Sequence, residues 1–134
     1  MTASAIVRDV LIVGAGPAGL TCALTLARAL HTVSVFDSGV YRNQLSTHMH
    51  TLPTWDHRDP KEWRQAARRE ALERYQTVQF HDVTLQSIKK KDGIFEATST
   101  EGEPWVGRKV VLAMGVKDIM PDIEGYASCW VKGM

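Results

Sequence analysis

The residues of this 134-residue chain that are best suited to bind a ligand are the glycines of a Gly-x-Gly-x-x-Gly motif and an acid that follows it. The glycines are Gly14, Gly16 and Gly19, and Asp37 follows eighteen residues later. Gly14 permits a tight turn, Gly16 lets a pyrophosphate approach the backbone, and Gly19 lets a helix pack closely against a strand. Asp37 is placed to accept hydrogen bonds from ribose hydroxyls, and its charge disfavours a 2′-phosphate. These residues predict a site for the adenosine half of FAD or NAD rather than NADP.

Such a site requires a strand, a helix and a second strand in that order. The segment 9–13 (DVLIV) indicates the first strand, residues 20–30 are compatible with the helix, and 33–36 (VSVF) indicates the second strand. Pro17 suits the first helical turn, because the N–H that it lacks would have no intrahelical partner. The helix N-terminus offers unpaired N–H groups and a partial positive charge to phosphates. A chance cluster of glycines is the alternative, but the complete order predicts a βαβ dinucleotide-binding unit.

Length and composition predict one globular domain over residues 1–134. Hydrophobic residues make up 44% of the chain and charged residues 23%, which is typical of globular proteins with a single core. The net charge of +1 supplies no basic surplus for binding nucleic acid. The sequence has neither the pattern of a signal peptide nor an apolar run of membrane-spanning length. We therefore expect a cytoplasmic protein with neither nucleic acid nor membrane as a partner.

A second helix is predicted in the middle of the chain. Asp59 suits its N-cap and Pro60 its first position, and the helix continues over residues 61–75. One face of this helix collects Trp63, Ala67, Ala71 and Tyr75. The charges elsewhere on it, Arg64 and Arg68 among them, are interpreted as a solvated face rather than a binding patch.

Short strands separated by turn residues follow the second helix. They are predicted over 77–80, 83–89, 94–98 and 105–106. Asp-Gly and Glu-Gly pairs at 92–93 and 101–102 indicate the turns. A last buried strand is predicted over 109–113. The expected fold is α/β: a parallel Rossmann-like sheet with helices packed on it, and a small antiparallel β-meander before the last strand.

Histidines and cysteines are the other side chains that could bind a metal or carry redox chemistry. His48, His50 and His57 are interpreted as solvent-exposed loop residues, because no carboxylate or cysteine nearby completes a ligand set, and no metal site is predicted. Cys22 and Cys129 match no metal or redox spacing. Cys22 is interpreted as a small buried residue of the first helix, and a disulphide between the two cysteines is not supported.

Three segments, together with the predicted meander, carry a resemblance to a known family. They are 36–43 (FDSGVYRN), 48–50 (HMH) and 110–115 (VVLAMG). The third is similar to the Ala-Thr-Gly strand end of flavoprotein disulphide reductases. Residues 10–133 resemble the thioredoxin-reductase-like, class-II pyridine nucleotide-disulphide oxidoreductases, and among them the fungal dithiol oxidases of the gliotoxin type. The resemblance implies FAD as cofactor, a small-molecule substrate, and dithiol–disulphide chemistry in fungal secondary-metabolite biosynthesis.

The resemblance also implies which residues contact FAD. The pyrophosphate would lie on the glycine loop, and Arg42 could also reach a phosphate. The segment after the second strand would hold the adenosine and ribose, with Val83 against the adenine, and His50 or Thr51 would approach the flavin. The implied cofactor-binding residues are Gly14, Ala15, Gly16, Pro17, Gly19, Asp37, Ser38, Gly39, Val40, Tyr41, Arg42, His50, Thr51, Val83, Ala113 and Gly115.

The sequence departs from the family pattern. Family members carry a Cys-x-x-Cys pair just beyond the segment that matches 130–134, a second glycine loop for NADPH, and a C-terminal Gly-Asp segment, and this sequence shows none of them. Thr51 stands where thioredoxin reductases carry Asn, and Met114 replaces the usual Thr. We therefore expect a truncated, N-terminal flavin-binding portion that has no catalytic residue of its own.

Two other functions stay open. The chain could be a non-catalytic dinucleotide-binding module, or a remnant that pairs with a full-length relative. A homodimer also stays open. A simple NAD-dependent dehydrogenase is less favoured, because nothing after Gly115 supplies a Tyr/Lys pair or another hydride-transfer site.

Overall fold

The computed structural model describes residues 6–130, which form six β-strands and three helices. In chain order the elements are β1 (Val7–Val13), α1 (Pro17–Arg28), β2 (Val33–Phe36), α2 (Pro60–Arg74), β3 (Val78–His81), β4 (Leu85–Lys91), β5 (Ile94–Ser99), β6 (Pro104–Leu112) and α3 (Tyr126–Cys129). The expectations for the first residues of the chain and for most of the segment 130–134 lie outside the described residues. Within 6–130, no helix combines the length and the apolar composition that crossing a bilayer requires.

The six strands form one mixed sheet in the order β3-β2-β1-β6-β5-β4. The neighbours among β3, β2, β1 and β6 are parallel, whereas β5 pairs antiparallel with both β6 and β4. In register, Val13 at the end of β1 lies between Phe36 of β2 and Leu112 of β6. The segments that follow these three strands therefore meet at one edge of the sheet. The expected α/β fold, a Rossmann-like parallel sheet with an antiparallel meander, is confirmed.

The larger part of the core lies between α1 and the strands β1 and β2. Ala23 and Ala27 of α1 pack in one cluster with Ile12, Val33 and Val35, and all five are fully shielded from solvent. All four residues of β2 are buried, as is typical of parallel strands covered on both faces. This packing fixes the N-terminus of α1 relative to the ends of the parallel strands.

The second helix begins where the capping residues predict. The Asp59 carboxylate accepts a hydrogen bond from the Lys61 amide at 2.6 Å, and Pro60 occupies the first helical position. Asp59 thereby satisfies one of the amides that have no partner within the helix. The helix contacts both α1 and β3, and it borders the loop that follows β2.

The prediction of one short strand at 105–106 and a separate buried strand at 109–113 is wrong. The structure has a single nine-residue strand, β6, which pairs antiparallel with β5 and parallel with β1. Gly107 leaves room for the side chain of Leu11 on the neighbouring strand β1, because an added Cβ would lie 2.5 Å from Leu11 Cγ. Gly107 is also the one buried residue of β6. The meander and the parallel part of the sheet therefore share one half-buried strand.

Candidate dinucleotide-binding site

The backbone itself requires Gly14 and Gly19. Gly14 has a φ of +106°, and an added Cβ would lie 2.4 Å from the carbonyl oxygen of Ala113. Its amide donates to the carbonyl oxygen of Phe36 at 2.9 Å, which ties the turn to β2. At Gly19 an added Cβ would lie 1.9 Å from the carbonyl oxygen of Gly14 and 3.5 Å from Ile12 Cγ2. The predicted tight turn and close helix packing are both present, and Gly19 packs chiefly against the turn.

Gly16 is different, because nothing in the described chain requires glycine at this position. Its φ of −75° and ψ of −173° suit any residue, and an added Cβ would meet no described atom within 4 Å. Gly16 lines a cavity. The space in front of its Cα is therefore available to a ligand, as expected where a pyrophosphate approaches the backbone.

The amides around Gly16 form a set of free hydrogen-bond donors. No group of residues 6–130 accepts a hydrogen bond from the N–H of Ala15, Gly16, Ala18 or Gly19. The set lies at the N-terminus of α1, where the helix dipole adds positive charge and the first turn contains no acidic residue. Donors arranged in this way bind anionic oxygens such as those of phosphate. The glycine loop therefore fits a dinucleotide pyrophosphate.

A cavity of about 990 Å³ opens at the edge of the sheet where β1, β2 and β6 end. A second cavity of about 660 Å³ lies on its α2 side and shares Ala15, Asp37 and Tyr41 with it. Of the residues predicted to bind the cofactor, the larger cavity is lined by Gly14, Ala15, Gly16, Pro17, Asp37, Ser38, Val40, Tyr41, Arg42, Val83, Ala113 and Gly115. Gly39 lines the smaller cavity, and Gly19 supports the loop from behind.

Asp37 is buried at the end of β2, with both carboxylate oxygens engaged. Oδ1 accepts a hydrogen bond from the Gly39 amide at 2.9 Å, and Oδ2 accepts one from the Tyr41 hydroxyl at 2.5 Å. Burial and this hydrogen bond raise the pKa of Tyr41 to about 12, so the hydroxyl keeps its proton and donates it. Each carboxylate oxygen has more than one acceptor site. The carboxylate is therefore held in one orientation and can still accept hydrogen bonds from a ribose.

Arg42 contacts Asp118 rather than the glycine loop. Its Nε and Nη2 donate to the two oxygens of Asp118 at 2.9 and 3.0 Å. These hydrogen bonds raise the pKa of Arg42 and lower that of Asp118. The pair joins the segment after β2 to the segment after β6, and both residues line the larger cavity. For Arg42 to bind a phosphate, as predicted, the phosphate would have to compete with Asp118.

The interpretation of the α2 charges as a solvated face is wrong for Arg64. Its exposed fraction is 8%. Nη1 donates to Asn43 Oδ1 at 2.7 Å, and the guanidinium lies 3.9 Å from the centre of the Tyr41 ring. Arginine can be buried in this way because its stem is apolar and its planar group stacks on aromatic rings. Arg64 therefore supports the residue that orients the acid of the site.

Arg68, one turn later in α2, also belongs to the site. It donates to both oxygens of Asp82 at 2.6 and 3.0 Å, and its Nη1 lies 3.8 Å from Asp37 Oδ2. Sequence reasoning missed Asp82 and Asp118 as well. Asp82 lies 14 residues from Arg68, and Asp118 lies 76 residues from Arg42. The one signal that could have indicated Asp118 is its position soon after the last strand.

His50 and Thr51 lie outside both cavities, in the loop between β2 and α2. Both are exposed, and their contact with a flavin stays a prediction. The expectation that no carboxylate lies near the histidines is wrong. Asp56 Oδ1 lies 3.6 Å from His50 Nδ1, and Asp56 Oδ2 lies 3.5 Å from His57 Nε2. The loop folds back on itself and brings these groups together.

The position of the larger cavity defines the class of protein. A ligand site over a glycine turn, at the carboxyl ends of parallel strands, is the arrangement of dinucleotide-binding α/β domains. Residues 8–133 match the family described as Pyridine nucleotide-disulphide oxidoreductase. The chain belongs to this family.

Known proteins confirm the resemblance to thioredoxin-reductase-like proteins of fungi. The thioredoxin reductase aclD of Aspergillus oryzae is 55% identical over 128 residues, which cover 94% of this chain and 40% of that protein. The thioredoxin reductase sirT of Leptosphaeria maculans is 49% identical over 124 residues, covering 91% and 38%. The crystal structure of the putative thioredoxin reductase TrxB from Bacillus anthracis gives a TM-score of 0.84 at 31% identity, covering 87% of this chain and 39% of that one. The chain spans about two fifths of the length of these proteins.

Proposed function

We propose that this chain binds FAD through the adenosine diphosphate half of the cofactor. In this proposal it is the flavin-binding portion of a thioredoxin-reductase-like dithiol oxidoreductase of fungal secondary-metabolite biosynthesis, with a small-molecule substrate. The observation that carries the proposal is the open space in front of Gly16, since the fold does not need a glycine there. Membership of the pyridine nucleotide-disulphide oxidoreductase family supports it, as does the similarity to the fungal thioredoxin reductase aclD.

Each part of the adenosine diphosphate has a matching surface. The free amides beside Gly16 would bind the pyrophosphate, and Asp37 would accept hydrogen bonds from the ribose. Val83, which lines the same cavity and packs against the cluster that contains Phe36, would lie against the adenine. The cavity volume of about 990 Å³ suits a ligand of dinucleotide size, since ligand pockets reach roughly 1,000 Å³.

The thiols of this chain do not form a redox pair. Cys22 is half-buried rather than buried, and Cys129 is exposed; both are free. Burial raises the pKa of the Cys22 thiol, which keeps it protonated and weakly nucleophilic. Bound FAD would supply two-electron redox chemistry. The proposal gives these residues the tasks of binding and orienting the cofactor, and it leaves the dithiol step to the full-length protein.

A flavin titration of the 134-residue chain tests the proposal. We expect one FAD per chain, and we expect Gly16→Val to weaken binding by about 100-fold or more, because the added methyl groups fill the space for the phosphate. Circular dichroism should show that this variant is folded. Thr25→Val, on an exposed position of the same helix, serves as the matched control and should bind FAD like the wild type.

Two results would overturn the proposal: a folded wild-type chain that binds no FAD, or a Gly16→Val variant with wild-type affinity.

The alternative of a non-catalytic module that pairs with a relative or a second copy is favoured by one observation. Ile119 and Ile123 are exposed apolar residues in the segment after β6, and neither lines a cavity of the dinucleotide site. Light scattering of the purified chain, alone and mixed with a full-length relative, distinguishes this alternative by the mass of the particles.

A further inference from the structure

The loop between β2 and α2 closes on itself just before α2 begins. Met49 and Arg58 form an isolated antiparallel bridge. The Met49 amide donates to the Arg58 carbonyl at 2.9 Å, and the His57 amide donates to the Met49 carbonyl at 2.8 Å. The bridge therefore brings residues near position 50 beside residues near position 57. Neither cavity of the dinucleotide site is lined by this turn.

Three exposed side chains of the kinds that can bind a metal lie close together at this closed turn. They are His50, Asp56 and His57, and their ligand atoms all lie within 4.8 Å of one another. His50 Nδ1 lies 3.6 Å from Asp56 Oδ1, and His57 Nε2 lies 3.5 Å from Asp56 Oδ2. Two donor atoms of a tetrahedral metal site are about equally far apart. With bonds of about 2.1 Å, the donors of a tetrahedral zinc ion are about 3.4 Å apart. Within residues 6–130, this is the one cluster of three such groups.

The carboxylate of Asp56 is already oriented for such a role. The Thr51 amide donates to Oδ1 at 2.9 Å, and this hydrogen bond is the main cause that lowers the pKa of Asp56. Oδ2 is left to face His57. Hydrogen bonds from outside the ligand set commonly fix the orientation of metal-binding carboxylates.

The charge around the cluster does not oppose a cation. The neighbouring Arg58 guanidinium lies over the Trp55 ring at 3.9 Å, and its Nη2 lies 3.3 Å from Glu62 Oε2. Glu62 therefore balances the charge of Arg58. The side chains of His50, Asp56 and His57 are 59%, 53% and 73% exposed, so an ion can reach them directly from solvent.

We propose that His50, Asp56 and His57 bind one divalent transition-metal ion, for which Zn²⁺ is the model. Two imidazoles and one carboxylate select zinc-like ions over Mg²⁺ or Ca²⁺, which prefer oxygen ligands. Three protein ligands leave a remaining position for water. The ion links the two sides of the loop that joins β2 to α2, independently of whether the chain binds FAD.

Zinc titration of the full chain, labelled with ¹⁵N at its histidines, tests this site. We expect one Zn²⁺ per chain by calorimetry, and shifts in the ring signals of His50 and His57. Asp56→Asn and His57→Gln should each weaken Zn²⁺ binding at least about tenfold. His48→Gln is the matched control, because His48 lies in the same loop outside the cluster; its affinity should equal that of the wild type.

Magnesium provides a second control, since Mg²⁺ in excess should leave the ring signals of His50 and His57 unchanged. The proposal is overturned if the wild-type chain shows no saturable Zn²⁺ binding. It is also overturned if both cluster variants, folded by circular dichroism, keep the wild-type affinity, or if Zn²⁺ shifts the other histidine signals and not these two. If one of the variants does not fold, the other one and the ring signals of the wild type still decide the outcome.

Discussion

The Tyr41 hydroxyl donates a hydrogen bond to Asp37 Oδ2 at 2.5 Å, so a residue four positions along the chain orients the acid at the end of β2. Tyr41 is held in turn by Arg64, whose guanidinium lies 3.9 Å from the centre of its ring. These contacts connect Arg64 of α2, through Tyr41 in the loop, to Asp37 at the end of β2. The acid that defines the ribose site therefore depends on a helix far from it in sequence.

Replacing Tyr41 by Phe removes one hydrogen bond to Asp37 and keeps the ring on which Arg64 stacks. We expect FAD affinity to fall by about three- to tenfold, because Asp37 loses part of its orientation. Flavin fluorescence titration measures the change. Tyr75→Phe, in the half-buried tyrosine at the end of α2, should leave the affinity unchanged. Equal affinities for the wild type and Tyr41→Phe would show that the hydrogen bond does not position the acid.

Alanine substitutions should separate the glycines that the fold needs from the one that the ligand needs. Gly19→Ala should lower the free energy of unfolding by at least about 2 kcal/mol, since its Cβ would overlap the Gly14 carbonyl oxygen. Gly16→Ala should cost no more than about 1 kcal/mol, which reflects only the poorer N-cap. Urea denaturation measures both. A large loss of stability at Gly16 would mean that its glycine has a structural role.

The sequence alone predicts those parts of the fold whose causes are local. The glycine turn, Pro17, the acid at the end of β2 and the Asp59 cap each depend on residues a few positions apart, and all lie where expected. The continuity of β6 depends instead on Gly107 meeting Leu11 of another strand. Such a contact leaves no periodic signal along the chain.

The same distinction applies to the candidate site. Its glycines and Asp37 belong to a compact motif, whereas the residues that support them come from distant segments. In the sequence, Arg64 cannot be distinguished from the other charged residues of a polar helix. Its contacts with Tyr41 and Asn43 exist only because the folded loop places these two residues beside it. Asp56 is close in sequence to the histidines, but the backbone bridge at Met49 is needed to bring it into contact with both.

His81 should make the stability of the domain depend on pH. Its ring stacks on Phe36 with centroids 5.3 Å apart and lies 5.2 Å from that of Trp105, and burial lowers its pKa. The folded state therefore disfavours the charged imidazole. The contribution of the neutral His81 ring to the free energy of unfolding is fully present above the pKa of histidine in the unfolded chain, about 6.5. This contribution is lost as the pH falls towards the lower pKa of His81 in the folded state.

We therefore expect the free energy of unfolding to be lower near pH 5.5 than near pH 7.5, by less than about 1 kcal/mol because the ring is partly exposed. Urea denaturation at the two pH values measures the difference. His81→Gln should reduce it, whereas His31→Gln, at an exposed position, should not. A pH dependence that is identical in the wild type and His81→Gln would contradict this assignment.

Arg64 and Arg69 lie in the same helix, and they should differ sharply on replacement by alanine. Arg64 is buried and donates to Asn43 at 2.7 Å, whereas Arg69 is exposed. Arg64→Ala removes the stacking on Tyr41 and the hydrogen bond to Asn43 Oδ1, so we expect a loss of about 2 kcal/mol in the free energy of unfolding. Arg69→Ala should change it by less than about 0.5 kcal/mol. Thermal and urea denaturation of the two variants compare them directly. Equal effects would contradict a stabilising role for Arg64 and would support its interpretation as part of the solvated face of α2.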